Sequence, residues 1–314
     1  DLMEREFNRK MVESGAMHGR MLSSAYDYDR GFIRVDAGIG KKIDEGFDWL
    51  RDQPKYSELS DFLRGRFTGQ QKYYLLEAIK AKQAIPLIKE YLKEGKKVVI
   101  FHNFNKGGAD NPFAISRAGM DHLERLDSEL ADHILEQYHE FQAERPDLAD
   151  LDLNDLESPI ETLSKAFGDE LVLYNGTLSK GEREKNKNSF NNDDSKTKII
   201  LVQSAAGQAG VSLHDTTGKY QRALVNLGLP TRPSEAIQQE GRIYRVGNKS
   251  NAIFRYLNTG TYMEQTAFAT KLAERAGTVE NIALGEMARS LKQAYVEAFE
   301  ESQEGDGWKK YLPG

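Results

Sequence analysis

Five short apolar runs, separated by stretches of helical or turn character, constrain this chain more than any other feature. They are Lys97-Val98-Val99-Ile100-Phe101, Glu170-Leu171-Val172-Leu173-Tyr174, Lys198-Ile199-Ile200-Leu201-Val202, Ala223-Leu224-Val225-Asn226-Leu227 and Ala252-Ile253-Phe254-Arg255-Tyr256. A strand with one wet face alternates apolar and polar residues; continuous apolar runs of this length belong to strands covered on both faces. Strands of that kind alternating with helices predict a parallel sheet between helical layers, the α/β class.

Around these runs the chain divides into three parts. Residues 69–276 carry the α/β pattern. Tyr73, Leu76, Ile79 and Ile88 share spacings of three and four with Tyr74, Ala78, Ile85 and Leu92, which predicts an amphipathic helix. Gly95 stands where that helix should end, after a Lys-rich last turn. Residues 105–168 interrupt the alternation with acidic, helical sequence, including Leu123, Leu126, Leu130 and Ile134, and read as an insertion. Residues 1–68 read as a helical and irregular extension. Their aromatic residues Tyr26, Tyr28, Phe32, Phe47 and Trp49 follow no period and suggest packing against something else, such as a missing partner lobe. Residues 277–314 read as a helical C-terminal extension through Ala283, Met287, Leu291 and Tyr295, with a frayed acidic end.

Bulk properties narrow the functional classes. No run of about 18 apolar residues occurs, so no membrane span is expected. The start at Asp1 is charged, has no apolar signal core and suggests an excised piece of a longer protein. The absence of cysteine excludes disulfides and Cys-based zinc sites and makes a cytoplasmic location the default. In that setting the two glycosylation-like triplets at Asn175 and Asn248 read as chance. A net charge of −6 argues against a small stand-alone DNA-binding module, which would be basic. It leaves room for a larger protein that touches phosphates through a few local groups.

The most informative stretch is Gln238-Gln239-Glu240-Gly241-Arg242-Ile243-Tyr244-Arg245-Val246-Gly247-Asn248. On a continuous helix, spacings of four and three would place Gln238, Arg242 and Arg245 on one face. Two guanidiniums aimed at one point suit a triphosphate, because arginine stays charged and grips phosphate oxygens in a forked manner. A solvated helix face shows the same spacing more often, so the neighbours have to decide. Upstream, directly after the run ending at Val202, comes Ser204-Ala205-Ala206-Gly207-Gln208-Ala209-Gly210-Val211-Ser212-Leu213. Small residues after a strand let backbone N–H groups approach a phosphate, although they also serve plain tight turns. Gly228-Leu229-Pro230-Thr231-Arg232-Pro233-Ser234 then leads into the arginine stretch, with Ser234 as a candidate N-cap.

This order of strand, small-residue turn, strand, proline-containing loop and Gln-x-x-x-Arg-x-x-Arg-x-Gly resembles motifs V and VI of superfamily 2 helicases. The variant here is most similar to the Snf2 and strawberry-notch branch, including related phage and plasmid proteins. Val98-Val99-Ile100-Phe101-His102-Asn103-Phe104 resembles motif IV. Tyr174-Asn175-Gly176-Thr177-Leu178-Ser179, Glu182-Arg183 and Phe190-Asn191 resemble the series that follows it. The matched motifs span residues 97–248.

The resemblance implies a second RecA-like lobe of an ATP-dependent DNA helicase or translocase. Arg242 and Arg245 would be its arginine fingers, reaching ATP and Mg²⁺ held mainly by the first lobe. Gln238, Gly210 and Gly241 would lie at the nucleotide. Thr177, Ser204 and His102 would meet a DNA backbone, with RNA as an open alternative. Lys180, Arg183, Lys185 and Lys187 flank Thr177 and suit either DNA or a solvated helix face. Two residues depart from the pattern: Ser212 stands where many helicases carry an acid near the ribose, and Asn248 where Snf2 proteins commonly carry Gln.

What is missing also shapes the expectation. Gly38-Ile39-Gly40-Lys41-Lys42 only imitates a phosphate loop, without its first glycine or its hydroxyl. Asp44-Glu45 follows no buried strand and reads as a solvated charge pair rather than a Mg²⁺ ligand. The first lobe is therefore expected on another part of the parent protein, and this chain alone should hydrolyse little ATP. His122 and His133 do not have the spacing of a zinc-protease helix, and no Gly-x-Ser-x-Gly elbow is present. Two readings from other classes stay open. One is a degenerate lobe kept as a binding module, docking a methylase or nuclease. The other is an unrelated nucleotide-binding α/β enzyme such as a glycosyl transferase.

Overall fold

The computed structural model describes residues 26–207, 210–230 and 233–267. The C-terminal helix expected within 277–314 lies outside them.

Six strands form one parallel sheet in the order β1-β6-β5-β2-β4-β3. They are β1 Tyr28–Arg34, β2 Lys97–His102, β3 Leu171–Tyr174, β4 Ile199–Gln203, β5 Arg222–Asn226 and β6 Ala252–Asn258. The five apolar runs are β2 to β6, and each pairs in register with a neighbour, for example Val99 with both Ile200 and Leu224. Side chains alternate between the faces of a strand, and this sheet fills both. Val99, Phe101, Ile200, Val202, Leu224, Phe254 and Tyr256 point into one layer; Val98, Ile100, Ile199, Leu201, Ala223, Val225, Ile253 and Leu257 point into the other.

The helices are α1 Gly38–Arg51, α2 Ser57–Arg66, α3 Gly69–Lys93, α4 Arg117–Glu124, α5 Ser128–Glu144, α6 Pro146–Ala149, α7 Pro159–Phe167, α8 Lys180–Asn191, α9 Ser204–Gly207 and α10 Pro233–Glu240. The amphipathic helix read from the sequence is α3. Thr68 caps its start by accepting from the Gln71 N–H at 3.3 Å. At its end Gly95 N–H donates to Leu92 O and Lys96 N–H to Tyr91 O, both at 3.0 Å. These paired bonds need a residue with positive φ, and Gly95 has φ of +77°. Ala81, Ala84, Leu87, Ile88 and Tyr91 of α3, with Leu163 of α7, cover one face of the sheet. Phe190 of α8 and Ala236 and Ile237 of α10 cover the other.

Two expectations about the flanking regions change. The first concerns residues 1–68, whose described part adds strand β1 at the sheet edge beside β6. Its aromatics find partners inside this chain: Tyr28 meets Tyr244 at 5.3 Å, Phe32 stacks on Tyr256 at 5.4 Å, and Phe47 lies 4.6 Å from Phe113 of the insertion. The second concerns the insertion. Its helices α4 to α6 build a separate cluster with α1 and α2, in which Ile43, Leu59, Phe113, Ile134 and Phe141 are buried. Its last helix, α7, instead belongs to the layer against the sheet.

Candidate functional site

The arginine stretch is not one continuous helix. Helix α10 ends at Glu240, and the chain then tightens into turns. Gly241 N–H still donates to Ile237 O at 2.9 Å, but Arg242 N–H reaches back only three residues, to Gln239 O at 3.1 Å. Ser234 stands second in the helix rather than before it. The expected single helical face is thus replaced by a short helix carrying Gln238, exposed, and a turn carrying Arg242 and Arg245, both half-buried.

That turn is held from below. Glu240, fully buried, receives both N–H arms of Arg30 from β1, Nε at 2.9 Å and Nη2 at 2.5 Å. The Tyr256 hydroxyl of β6 donates to the same carboxylate. The Arg30 guanidinium, whose charge Glu240 stabilises, also lies 5.0 Å from the Tyr28 ring centre. A buried carboxylate is tolerable only when its oxygens are matched by charge and by hydrogen bonds, and here these partners come from the edge strand β1 and its neighbour β6.

A second clamp joins the turn to the segment after α9. Leu213 N–H donates to Arg242 O at 2.8 Å. Arg222 Nε donates to Leu213 O at 2.9 Å, Asn191 Nδ2 donates to Ser212 O at 3.0 Å, and Arg245 Nη1 donates to Ser212 Oγ at 2.6 Å. The Phe190-Asn191 pair read from the sequence therefore packs one side chain into the core and ties the other to this segment.

Cations outnumber acids in this corner. Among the described residues, neither Arg242 nor Arg245 forms an ion pair with an acid, and Arg242 Nε is buried without a partner. Burial, and then the charge of Arg245, make the Arg242 guanidinium harder to keep protonated than usual. His214 is likewise held below its ordinary range by burial, Arg245 and Arg222. Asp215 offsets part of the charge of Arg222 and His214, which leaves Arg242 and Arg245 as the cations of this corner with no acid partner among the described residues.

Gly210, with φ of +86°, is exposed beside this segment in open space. Gly241 is buried, and its N–H is used by Ile237. The small-residue turn has a packing reason too. A Cβ on Gly207 would come within 2.9 Å of Val202 Cγ1 and 3.0 Å of Phe101.

The residues expected to meet a nucleic-acid backbone separate. Thr177 is exposed after β3, in a turn where Asn175 Oδ1 accepts from its N–H at 3.0 Å and its hydroxyl at 2.6 Å. Ser179 and Glu182 form a reciprocal capping box that starts α8, so this part of the motif is a helix start. Of the basic residues behind it, Lys187 is paired with Glu184 at 2.7 Å.

His102 and Ser204 are buried. Ser204 Oγ donates to His102 O at 3.1 Å and accepts from Gln239 Nε2 at 3.3 Å; Gln239 Oε1 in turn accepts from Asn226 Nδ2 at 2.6 Å. As folded, neither side chain offers surface to a phosphate. Instead the His102 carbonyl and the Ser204 hydroxyl, through Gln239 and Asn226, wire the ends of β2, β4 and β5 to α10. His102, with Nδ1 against Phe104 O and Nε2 unpartnered, is pushed by burial down to about 4.

Three residues that sequence reasoning passed over shape the site: Gln239, Glu240 and Glu77. Glu77 of α3 is buried and accepts from the N–H groups of Asn103 and Phe104 after β2, the shortest at 2.9 Å. Burial lifts its carboxyl to about 7. The one available signal was an acid at an otherwise apolar helix position, between Leu76 and Ala78. Asp44, read as solvated, is half-buried and accepts from Tyr262 N–H at 2.8 Å and Met263 N–H at 3.2 Å. No group of residues among those described is arranged to hold a metal ion, and no described helix is long and apolar enough to cross a membrane.

Residues 149–247 match the helicase conserved C-terminal domain family. The match takes in the turn after β3, α8, the segment after β4 and the arginine turn, and stops before β6; the β2 segment precedes it. No curated protein matches the sequence.

Solved structures similar to it include the C-terminal part of the Fun30 ATPase domain, 12% identical, with 87% of this chain and 97% of that one covered and a TM-score of 0.42. The Sulfolobus solfataricus SWI2/SNF2 ATPase core domain is 15% identical, with 83% and 45% covered and a TM-score of 0.42. The RNA-helicase Prp28 from Chaetomium thermophilum bound to ADP is 15% identical, with 62% and 35% covered and a TM-score of 0.31. Residues 149–247 of this chain are thus similar to the helicase conserved C-terminal domain family, and they lie in a parallel α/β sheet of RecA type.

Proposed function

We propose that this chain is the second motor lobe of a Snf2-like, ATP-dependent DNA translocase or helicase of superfamily 2. In this reading Arg242 and Arg245 reach the phosphates of ATP bound mainly by a first RecA-like lobe, which also holds the accompanying Mg²⁺. The observation that carries it is the cationic turn: two half-buried arginines with no acid partner among the described residues, one with an unpartnered buried Nε.

An arginine finger works by meeting charge that develops on the transferring phosphoryl group, and is worth about 10³–10⁵ in rate. Its guanidinium therefore has to stay unneutralised until the phosphate arrives. Gln238, exposed on the preceding helix, and Gly210, exposed beside the clamp, complete the nucleotide side. Thr177 and the start of α8 supply the contact with the nucleic-acid backbone, which positions the strand without reading its sequence. Closing and opening of the two lobes around ATP would then drive stepping.

The test is the DNA-stimulated ATPase of the two-lobe motor containing this chain, comparing wild type with Arg242→Ala and Arg245→Ala. Turnover falling by about 10³-fold or more, with nucleotide binding largely kept, is the expected result. Turnover at the wild-type level in both variants would remove the arginine-finger role and leave a docking module as the better reading.

A further inference from the structure

Ser212 occupies the place where the sequence pattern leads one to expect an acid, and its hydroxyl is spent on an arginine. Arg245 Nη1 donates to Ser212 Oγ at 2.6 Å. Three further bonds fix the backbone at that point: Asn191 Nδ2 holds Ser212 O, Arg222 Nε holds Leu213 O, and Leu213 N–H is held by Arg242 O. The hydroxyl is thus a fixed acceptor on a fixed backbone, while a guanidinium has five N–H donors. Binding one of them sets its direction and leaves the others for a ligand.

The chemistry of the acceptor matters. A carboxylate at 2.6 Å would also orient Arg245, but it would form a forked ion pair and cancel the charge. A neutral hydroxyl orients the group without cancelling it. The arrangement is costly before a ligand binds, because Arg242 and Arg245 repel each other. An arriving phosphate relieves that repulsion.

The geometry points to Ser212 as a positioning residue for Arg245, one that aims the guanidinium at the phosphate while leaving its charge intact. This rests on the arginine-finger reading above, and the experiment separates the two.

Steady-state ATPase of the two-lobe motor is measured with nucleic acid present for wild type, Arg245→Ala, Ser212→Ala, Ser212→Thr and Ser212→Asp. Ser212→Ala is expected to lower kcat about ten-fold, the worth of one hydrogen bond to a charged group, with KM for ATP nearly unchanged. Ser212→Thr keeps the hydroxyl and should restore at least half of wild-type kcat. Ser212→Asp should fall at least as far as Ser212→Ala, because it pairs with the charge.

Wild-type kcat in both Ser212→Ala and Ser212→Asp, while Arg245→Ala collapses, overturns the inference and leaves the arginine-finger reading standing. Equal losses in Ser212→Thr and Ser212→Ala also overturn it, since a merely structural site would not distinguish the retained hydroxyl. An unaffected Arg245→Ala removes the underlying reading and the inference with it.

Discussion

Arg30 and Glu240 stand 210 residues apart in sequence and meet in a two-pronged pair, Nε to Oε2 at 2.9 Å and Nη2 to Oε1 at 2.5 Å. One comes from the edge strand, the other from the last position of the helix that leads into the arginine turn. Breaking a buried pair from one side leaves the other charge uncompensated and costs about 3–5 kcal/mol. Glu240→Leu should therefore destabilise the lobe by about that amount, read as a shift in the urea midpoint. Arg30→Met combined with Glu240→Leu should recover most of it, because an apolar replacement of both partners carries no stranded charge. A double variant no more stable than Glu240→Leu alone would contradict this account.

The buried Glu77 and His102 give the lobe opposite pH responses. The Glu77 carboxyl is raised from 4.5 to about 7, chiefly by burial. Between those values the folded state keeps a proton that the unfolded chain has released, so this contribution is complete below 4.5 and is lost as pH rises to about 7. His102 is lowered from 6.5 to about 4, also chiefly by burial. There the unfolded chain takes up the proton first, so stability is complete above 6.5 and falls as pH drops toward 4. Urea titrations from pH 4 to 8 on wild type and Glu77→Gln should show it: the wild-type advantage shrinks as pH rises through the window. An advantage that stays flat or grows would contradict the burial argument.

Gln239 uses both ends of its amide inside the core, toward Ser204 and Asn226. Gln239→Leu keeps the bulk and strands the Asn226 amide, whose Oδ1 already has no partner among the described residues. Leaving buried polar groups unmatched costs about 1–3 kcal/mol each, so a loss of about 2 kcal/mol is expected in equilibrium unfolding. Removing Asn226 as well, as Asn226→Leu in the same chain, should cost less than the sum of the single changes. Strict additivity would mean that the two side chains do not interact.

Strands β2 to β6 and the long helix α3 were legible because their signals are local. A parallel strand covered on both faces has to be apolar at every position, and Val98 to Phe101 or Ile199 to Val202 say so without reference to anything distant. Helix α3 carries its own spacing and its own stop at Gly95. The similarity of residues 149–247 to the helicase C-terminal domain was equally readable, since motif order is a property of the chain.

The edge strand β1 was not legible. Its Tyr-Asp-Arg-Gly-Phe-Ile-Arg sequence carries charges that make sense only once Arg30 faces Glu240, and Asp29 faces Arg255 at 2.7 Å. The end of α10 at Glu240 was hidden for a related reason. The Gln-x-x-x-Arg spacing is compatible with a longer helix, and only the clamp of Leu213 on Arg242 and the grip of Arg30 on Glu240 turn the chain there.

Periodicity reports which way a side chain faces, never which residue it will meet. Sequence alone therefore determined the α/β class, strands β2 to β6 and the candidate arginines. Tertiary structure decided which polar groups are buried, which of them match, and why Ser204 and His102 lie inside while Arg242 and Arg245 have no acid partner among the described residues. The reason is that burial and pairing are set by contacts between residues tens to hundreds of positions apart.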